Sequence, residues 1–258
     1  MDDSTRLAAV VIACDEESDI VRCLKSLSFC SEIIVVDSGS SDRTRELAGQ
    51  FTDKVFLHPW QGYAQQKNYA NSLTDCDWVL SLDADEEISE DLRREILMVL
   101  SSHVTQAAFS MPRQTFHLGR WIGHGEWYPN RQVRLFRKSL GRWIGPEVHE
   151  RWVTRGQVGE LQGRILHYSY KDVAEQWARA RRYSSLMALR LRREGQRFSF
   201  SKLFFGPIER FASGYCLKRG FLDGYQGLVI SLCEAYTVFL GWYRLWRLER
   251  AAGCAEGP

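Results

Sequence analysis

Residues 77–87 read Asp-Trp-Val-Leu-Ser-Leu-Asp-Ala-Asp-Glu-Glu, a short apolar run that ends in two carboxylates one residue apart. Such a run, bounded by polar residues, is the pattern of a strand buried on both faces. The pattern occurs earlier at Leu7–Ala13 (LAAVVIA) and Glu32–Asp37 (EIIVVD), and more briefly at 54–57. Helical spacing fills the gaps. It runs over 19–27 through Ile20, Val21, Leu24 and Leu27, over 43–51 and over Tyr63–Ser72. Ser41 or Asp42 can cap the second of these helices. Ser89 is placed to cap another that runs to Leu100, with Glu90 and Asp91 in the first turn, where the helix dipole favours anions.

Strands alternating with helices predict βαβ units and a parallel sheet. Right-handed crossovers put the loops after strands one, two and four on one edge, and ligands of open α/β sheets bind along that edge. Asp15, Asp37, Asp83 and Asp85 are therefore expected to gather there.

The pattern changes after residue 105. Segments 107–116, 132–136 and 165–168 predict strands. A Gly- and aromatic-rich stretch, HLGRWIGHGEWYPN, fills 117–130, and GRWIGPEVHER at 141–151 reads as a loop. From 172 onward the spacing is helical, over 172–194, 199–218 and 222–250. The expected organisation is an α/β domain over 1–170, with a change of character at residue 100, then a basic amphipathic helical extension over 171–258.

Charge divides along the same line. The first hundred residues hold 9 Lys/Arg and 20 Asp/Glu, whereas the rest hold 25 and 12, so a net charge of +2 conceals an acidic part and a basic part. A basic surface attracts phosphates on nucleic acid, lipid head groups or glycans. The values of 45% hydrophobic and 26% charged residues exclude a mainly disordered chain. Seven cysteines, an odd number without a C-x-x-C pair, support neither a disulfide framework nor a zinc knuckle. A reducing cytosol is the expected compartment. The acidic start lacks the order of a signal peptide, and no charge-free apolar stretch reaches spanning length.

Asp83 and Asp85 offer hard oxygen ligands to Mg²⁺ or Mn²⁺, although a strand end at a surface also simply needs polar residues. Asp37, in VVDSGSSDRT, can accept hydrogen bonds from a base or ribose, or merely open a capping turn. Lys67, early in a helix, either reaches the same edge or faces solvent.

Taken in order, Asp15-Glu16, Asp37 in VVDSGSSDRT, Lys67 and Leu82-Asp83-Ala84-Asp85 resemble the inverting family 2 glycosyltransferases of GT-A (Rossmann-like) fold, over roughly residues 5–170. WYPNRQVRLFRK, GPEVHERW and ILHYSY extend the resemblance to bacterial lipopolysaccharide core β-1,4-glucosyltransferases. It implies a catalytic domain over 1–170, with a nucleotide-sugar-binding half to residue 100 and an acceptor-side half beyond it, and transfer of glucose from UDP-glucose to an inner-core heptose. It also implies a nucleotide-sugar pocket using Asp15, Glu16, Asp37, Lys67, Asp83, Arg131 and Arg134. The implied metal ligands for Mg²⁺ or Mn²⁺ are Asp85, Asp83 and His167. Position 15 departs from the family pattern, where Asn is usual.

An inverting transfer needs one base for the acceptor hydroxyl and cationic support for the departing UDP. The 145–150 segment supplies Glu150 first, then Glu147 and His149. Glu150 could equally sit in a solvated ion pair with an arginine. Arg131 and Arg134 could hold diphosphate as a fork or lie at the surface. His167 has the alternative of a hydrogen-bonded core histidine. Trp121, Trp127, Tyr128 and Trp143 suit sugar faces or core packing alike. The basic helices suit the anionic inner-membrane surface, packing on the catalytic domain, or a homo-oligomer. Nucleic acid is not expected, because no binding motif accompanies the charge. The protein is thus expected to be cytoplasmic and peripheral to the inner face of the membrane.

Other chemistries fit less well. A haloacid-dehalogenase-type phosphatase wants Thr or Val where Glu87 stands, and a nucleotidyltransferase wants a Gly- and Arg-rich first loop. A noncatalytic, membrane-docked nucleotide-sugar binder is the alternative from another class.

Overall fold

The computed structural model describes residues 6–145, 150–170 and 172–255, with side chains as far as 251. Contacts divide the chain into two units. One is Met1–Gln114 with Asn130–Tyr168, and the other is Thr115–Pro129 with Ser169–Pro258. The aromatic stretch expected within the acceptor-side half thus clusters with the C-terminal helices.

The first unit opens with β1 (Leu7–Ala13), every residue of which is buried. Then follow α1 (Ile20–Ser26), β2 (Glu32–Asp37), α2 (Thr44–Ala48), β3 (Val55–Leu57), α3 (Tyr63–Ser72) and β4 (Trp78–Asp83). β5 (Glu86–Ile88) was not expected, and it begins three residues after β4 ends. α4 (Glu90–Leu100) starts as its sequence predicts, with Ser89 Oγ accepting from the Leu92 amide at 3.2 Å. β6 (Ala108–His117) crosses into the second unit, where β7 (Arg120–Trp121) pairs with its end. β8 (Asn130–Arg137) returns to the first unit. The predicted loop at 141–151 is corrected in part. Gly141–Ile144 forms β9, paired antiparallel with β10 (Arg151–Thr154), because alternating Trp143 and Trp152 give the hairpin a buried face. β11 (Val158–Glu160) and β12 (Ile165–His167) complete the strands.

Strands hydrogen-bond in the order β3-β2-β1-β4-β8-β6-β12-β5. β1, β2, β3 and β4 run parallel, and β8 returns antiparallel to both β4 and β6. Trp78, Leu80, Leu82, Leu24 and Ile96 fill one core on this sheet, and Val10, Ile34, Phe136, Trp143 and Trp152 belong to another. Burying each such side chain stabilises the fold by about 1.5–3 kcal/mol.

Register sets the functional edge. Ala13 of β1 lies opposite Asp37, and Ile12 lies opposite Asp83, on the two flanking strands. Strands are about 4.8 Å apart, so roughly 10 Å separates the two aspartates along the sheet. β1 thus stands between them, with their partners one residue apart along it.

The second unit holds α5 (Val173–Arg193), α6 (Phe200–Phe211) and α7 (Gly224–Ala255). Asp172 caps α5 by accepting from the Glu175 amide at 2.8 Å. The helix predicted over 199–218 ends earlier. Its last part, Ala212–Leu217, widens into a π turn after Pro207 has removed one amide donor from the ladder. A helix at 220–251 is long and apolar enough to cross a membrane by length and composition, and a third of its most apolar window is buried within the protein. All six described cysteines are free thiols.

Candidate active site

At the end of β2 the Asp37 carboxylate is fully buried. Its Oδ1 accepts from the Gly39 and Ser40 amides at 2.9 Å each, and its Oδ2 accepts from the Ser40 hydroxyl. Gly39 has φ +103°, a conformation that glycine adopts without a Cβ penalty, and this turns its N–H back onto Asp37. Arg45 adds an ion pair at 3.8 Å.

The first loop is laced to this turn. The Asp15 amide donates to Ser40 Oγ at 2.9 Å, and Asp15 Oδ1 accepts from the Ser41 amide at 2.7 Å. Asp15 has φ +56°. Asp and Asn are the non-glycine residues that tolerate this left-handed region, so the departure at position 15 keeps the backbone requirement. The Glu16 amide donates to Thr44 Oγ1 at 2.7 Å. Asp42 accepts from the Thr44 amide at 2.9 Å, which ties its side chain to the start of α2. Asp15, Glu16 and Asp37 are therefore together, as the sequence predicts.

One strand away from β1, a second cluster surrounds Asp83. Lys67 is fully buried, against the solvent-facing alternative. Its Nζ lies 3.0 Å from Asp83 Oδ1 and donates to Glu150 Oε1 at 2.9 Å, with the Trp143 ring centroid 4.7 Å away. Arg134, only 2% exposed, donates to Asp83 Oδ2 at 2.8 Å and to Glu86 Oε1 at 2.9 Å. Arg113 donates to Glu86 Oε1 at 3.2 Å, and Glu86 Oε2 accepts from the Asp83 amide at 3.0 Å. The result is an alternating chain: Glu150, Lys67, Asp83, Arg134, Glu86, Arg113. Burial alone would push the Asp83 carboxyl up, but Arg134 and Lys67 outweigh it and hold it well below the usual carboxylate range. Burial likewise opposes charge on Arg134, and Asp83 and Glu86 override it and raise its pKa.

Asp85 lies outside this chain. Its Oδ2 is 3.2 Å from His167 Nε2, and its backbone carbonyl accepts from the Tyr168 amide at 3.0 Å. β12 pairs with β5 so that His167 faces Glu86, which brings the histidine beside the Asp-x-Asp segment. Among the described residues no three His, Cys, Asp or Glu side chains converge as a metal cage. A carboxylate and an imidazole at this separation still fit a hard divalent cation, since Mg²⁺ keeps several waters and takes phosphate oxygens. Asp83 differs from Asp85 in its neighbours, with Oδ1 beside Lys67 and Oδ2 accepting from Arg134.

Arg131 lies apart from Arg134. Its Nη2 donates to the Ser110 and Leu161 carbonyls at 2.8 Å each, so it staples strands and forms no fork with Arg134. The β6–β8 register shifts here, with Phe109 opposite Leu135 and Ser110 opposite Val133, so Arg134 falls at an irregularity between the two paired residues. Glu150 pairs with a buried lysine rather than a solvated arginine. Trp143 is 4% exposed and packs on Phe136 and Trp152, which is the core-packing alternative. Glu147 and His149 lie outside the described residues. Within the second unit, Trp127 stacks on Tyr170 and donates to Glu234 at 3.2 Å, and Trp121 meets Phe116 edge-on.

Sequence reasoning missed Glu86, Arg113 and Gln66. Gln66 is fully buried and donates to Ser38 Oγ at 3.0 Å and to the His58 carbonyl at 3.1 Å, which fastens α3 to the Asp37 loop. An arginine inside the otherwise strand-like 107–116 was a signal that a buried acid would face it.

With this geometry in view, the comparison with known families becomes specific. The glycosyl transferase family 2 model matches residues 8–155, more than half of the chain and all of the elements just described up to β10. The chain belongs to glycosyl transferase family 2. A lipopolysaccharide core biosynthesis glycosyltransferase, LpsC of Rhizobium meliloti, is 30% identical over 247 residues, covering 90% of this chain and 92% of that protein. An uncharacterised glycosyltransferase of Rickettsia typhi is 31% identical over 256 residues, covering 95% and 88%. Solved structures with similarity include S. aureus TarS 1–349 in complex with UDP-GlcNAc, at 12% identity and TM-score 0.48 over 93% of this chain and 92% of that one. Glucosyl-3-phosphoglycerate synthase from Mycobacterium tuberculosis, in complex with Mg²⁺ and UDP, is similar at 17% identity and TM-score 0.48, over 76% and 81%. The protein is a glycosyltransferase with a mixed α/β sheet of the GT-A class and a C-terminal helical region.

Proposed function

We propose that this glycosyltransferase moves glucose from UDP-glucose onto a lipopolysaccharide inner-core sugar, with inversion at the anomeric carbon. The observation that carries the reading is the Lys67 bridge, which holds Glu150 one residue contact away from the Asp-x-Asp strand end. Asp37 and the Asp15 loop bind the uracil and ribose, where a buried acceptor group and a close backbone suit a flat base. Glu150 takes the acceptor hydroxyl proton as the hydroxyl attacks the anomeric carbon. The glycosidic bond to UDP breaks on the opposite face.

Asp85 and His167 are the residues that would hold Mg²⁺ or Mn²⁺. When bound, such an ion supplies charge neutralisation for the departing diphosphate. The buried Lys67 and Arg134 hold Asp83 and Glu150 in place, so the site is organised before substrates arrive. The similarity to LpsC along nearly the whole chain supports a lipopolysaccharide core acceptor. That acceptor lies in a membrane, and the basic second half fits a protein at the inner face of the cytoplasmic membrane.

The decisive experiment incubates the protein with a panel of UDP-sugars and membranes bearing truncated lipopolysaccharide. Product mass and anomeric configuration are read out. The expected product gains one hexose with inverted stereochemistry. Binding of UDP without any transfer would overturn the reading in favour of a noncatalytic binder.

A further inference from the structure

α6 is amphipathic the wrong way round for a helix of a globular protein, whose apolar stripe normally faces the core. Phe200, Phe204 and Ile208 recur every four residues with Phe205 beside them, and they are 68%, 61%, 63% and 68% exposed in that order along Phe200, Phe204, Ile208 and Phe205. The inward side is Leu203 and Gly206. A Cβ at Gly206 would stand 3.3 Å from Val238 Cγ1, so α6 rests on α7 by Leu203 and Gly206 and turns Phe200, Phe204 and Phe205 outward. At the end of the π turn Leu217 is 81% exposed, and Phe221 and Tyr225 after it are exposed too.

The charge around this face is predominantly positive. Residues 192–219 contain seven Lys or Arg against two Glu, and Arg192, Arg193, Arg197, Lys218 and Arg219 are exposed. Large rings with a basic surround match an anionic bilayer, where the rings enter the headgroup boundary and the bases meet lipid phosphates. The same surround argues against a second copy of this chain, since two basic rims brought together repel.

We propose that α6 and the turn after it are the docking surface for an anionic lipid bilayer, entered by Phe200, Phe204, Phe205 and Ile208. This deepens the membrane reading above by naming the surface, and it does not depend on the identity of the sugar. The test is co-sedimentation of the full chain with phosphatidylcholine vesicles, with and without phosphatidylglycerol. The expected result is binding that needs phosphatidylglycerol and falls several-fold at high salt. Phe204→Ser/Phe205→Ser should weaken it at least about tenfold. Arg197→Glu/Arg219→Glu tests the rim independently should the first variant fold poorly, and it should weaken binding similarly. UDP binding, measured by calorimetry, should stay unchanged in both.

Vesicle binding that both variants retain would overturn the proposal. So would light scattering that shows a dimer of the unaltered chain dispersed by Phe204→Ser/Phe205→Ser, because a second copy would then cover the face. Loss of the donor reading would appear instead as an unaltered chain that sediments with vesicles and binds no UDP.

Discussion

Replacing Lys67 by methionine removes one cation from between two carboxylates while keeping most of the buried stem. Breaking a buried pair by deleting one partner typically costs about 3–5 kcal/mol, because a charge is left uncompensated. Here the cost is smaller. Asp83 keeps Arg134 at 2.8 Å, and the Asp83 and Glu150 side chains are 24% and 17% exposed, so water takes up part of the lost interaction. A loss of about 2–3 kcal/mol follows, which for a chain of this size lowers the melting temperature by roughly 5–10 °C. The kinetic effect is separate. Glu150 loses its anchor and swings away from Asp83, and a displaced general base costs roughly a hundredfold in kcat. Lys67→Arg restores charge with a bulkier head and should recover stability better than turnover. Lys67→Met/Glu150→Gln should be more stable than Lys67→Met alone, because the stranded carboxylate is gone. Thermal melts followed by circular dichroism, beside a UDP-release assay, measure both effects. A Lys67→Met protein that melts within a degree of the parent and turns over at a comparable rate would refute the reasoning.

Asp85→Ala should abolish UDP release while shifting the melting temperature little, since Asp85 is bonded to His167 and lies outside the ion-pair chain; turnover near the parent rate would count against it. Arg131→Ala should do the reverse, costing about 1–3 kcal/mol in a urea melt through the two carbonyls it leaves, with KM for the donor unchanged. Glu32 gives a pH signature. Burial would raise its carboxyl, but Lys54, Thr74 and Cys76 bonds bring it down to about 2. A folded value below the unfolded one stabilises the protein fully above the ordinary value of 4.5, and that contribution is lost as pH falls from there towards 2. Discounted for the exposed lysine, Glu32→Gln should cost about 1–2 kcal/mol at neutral pH in denaturant melts, and the difference should shrink at pH 3 and below.

The parallel half of the fold was readable because each of its strands is an apolar run with a turn signal behind it. β1 and β2 occur with the boundaries that LAAVVIA and EIIVVD predict. The convergence of Asp37 and Asp83 was readable too, since it needs only strand direction and crossover handedness. β5 was not legible. Its three residues include Glu86 and Glu87, which no propensity assigns to a strand, and the segment is extended because Ile165, Leu166 and His167 pair with it from 77 or more residues away. β9 failed for a related reason, as Gly141 and Arg142 look like loop while Trp143 supplies the burial. Lys67, Glu86, Arg113 and Arg134 show the general limit. Each is a charge that in isolation belongs at a surface, and each is buried only because the others are. No local window contains that information.

The same mutual dependence explains why the two aspartates of Asp83-Ala84-Asp85 are not equivalent. Within the alternating chain, the carboxylates of Glu150, Asp83 and Glu86 are balanced one for one by Lys67, Arg134 and Arg113. That cluster carries no net charge, which lets Lys67, Arg134 and Glu86 be buried. Asp85 is the carboxylate of this strand end that the cluster does not neutralise, and it has an imidazole as its neighbour. Within the Asp-x-Asp segment the charge left unbalanced by the cluster therefore resides at Asp85, whereas Asp83 fixes the positions of the groups around it. A substitution at Asp83 should accordingly damage folding and turnover together. One at Asp85 should damage turnover alone, and parallel melts and rate measurements on Asp83→Asn and Asp85→Asn separate the two roles.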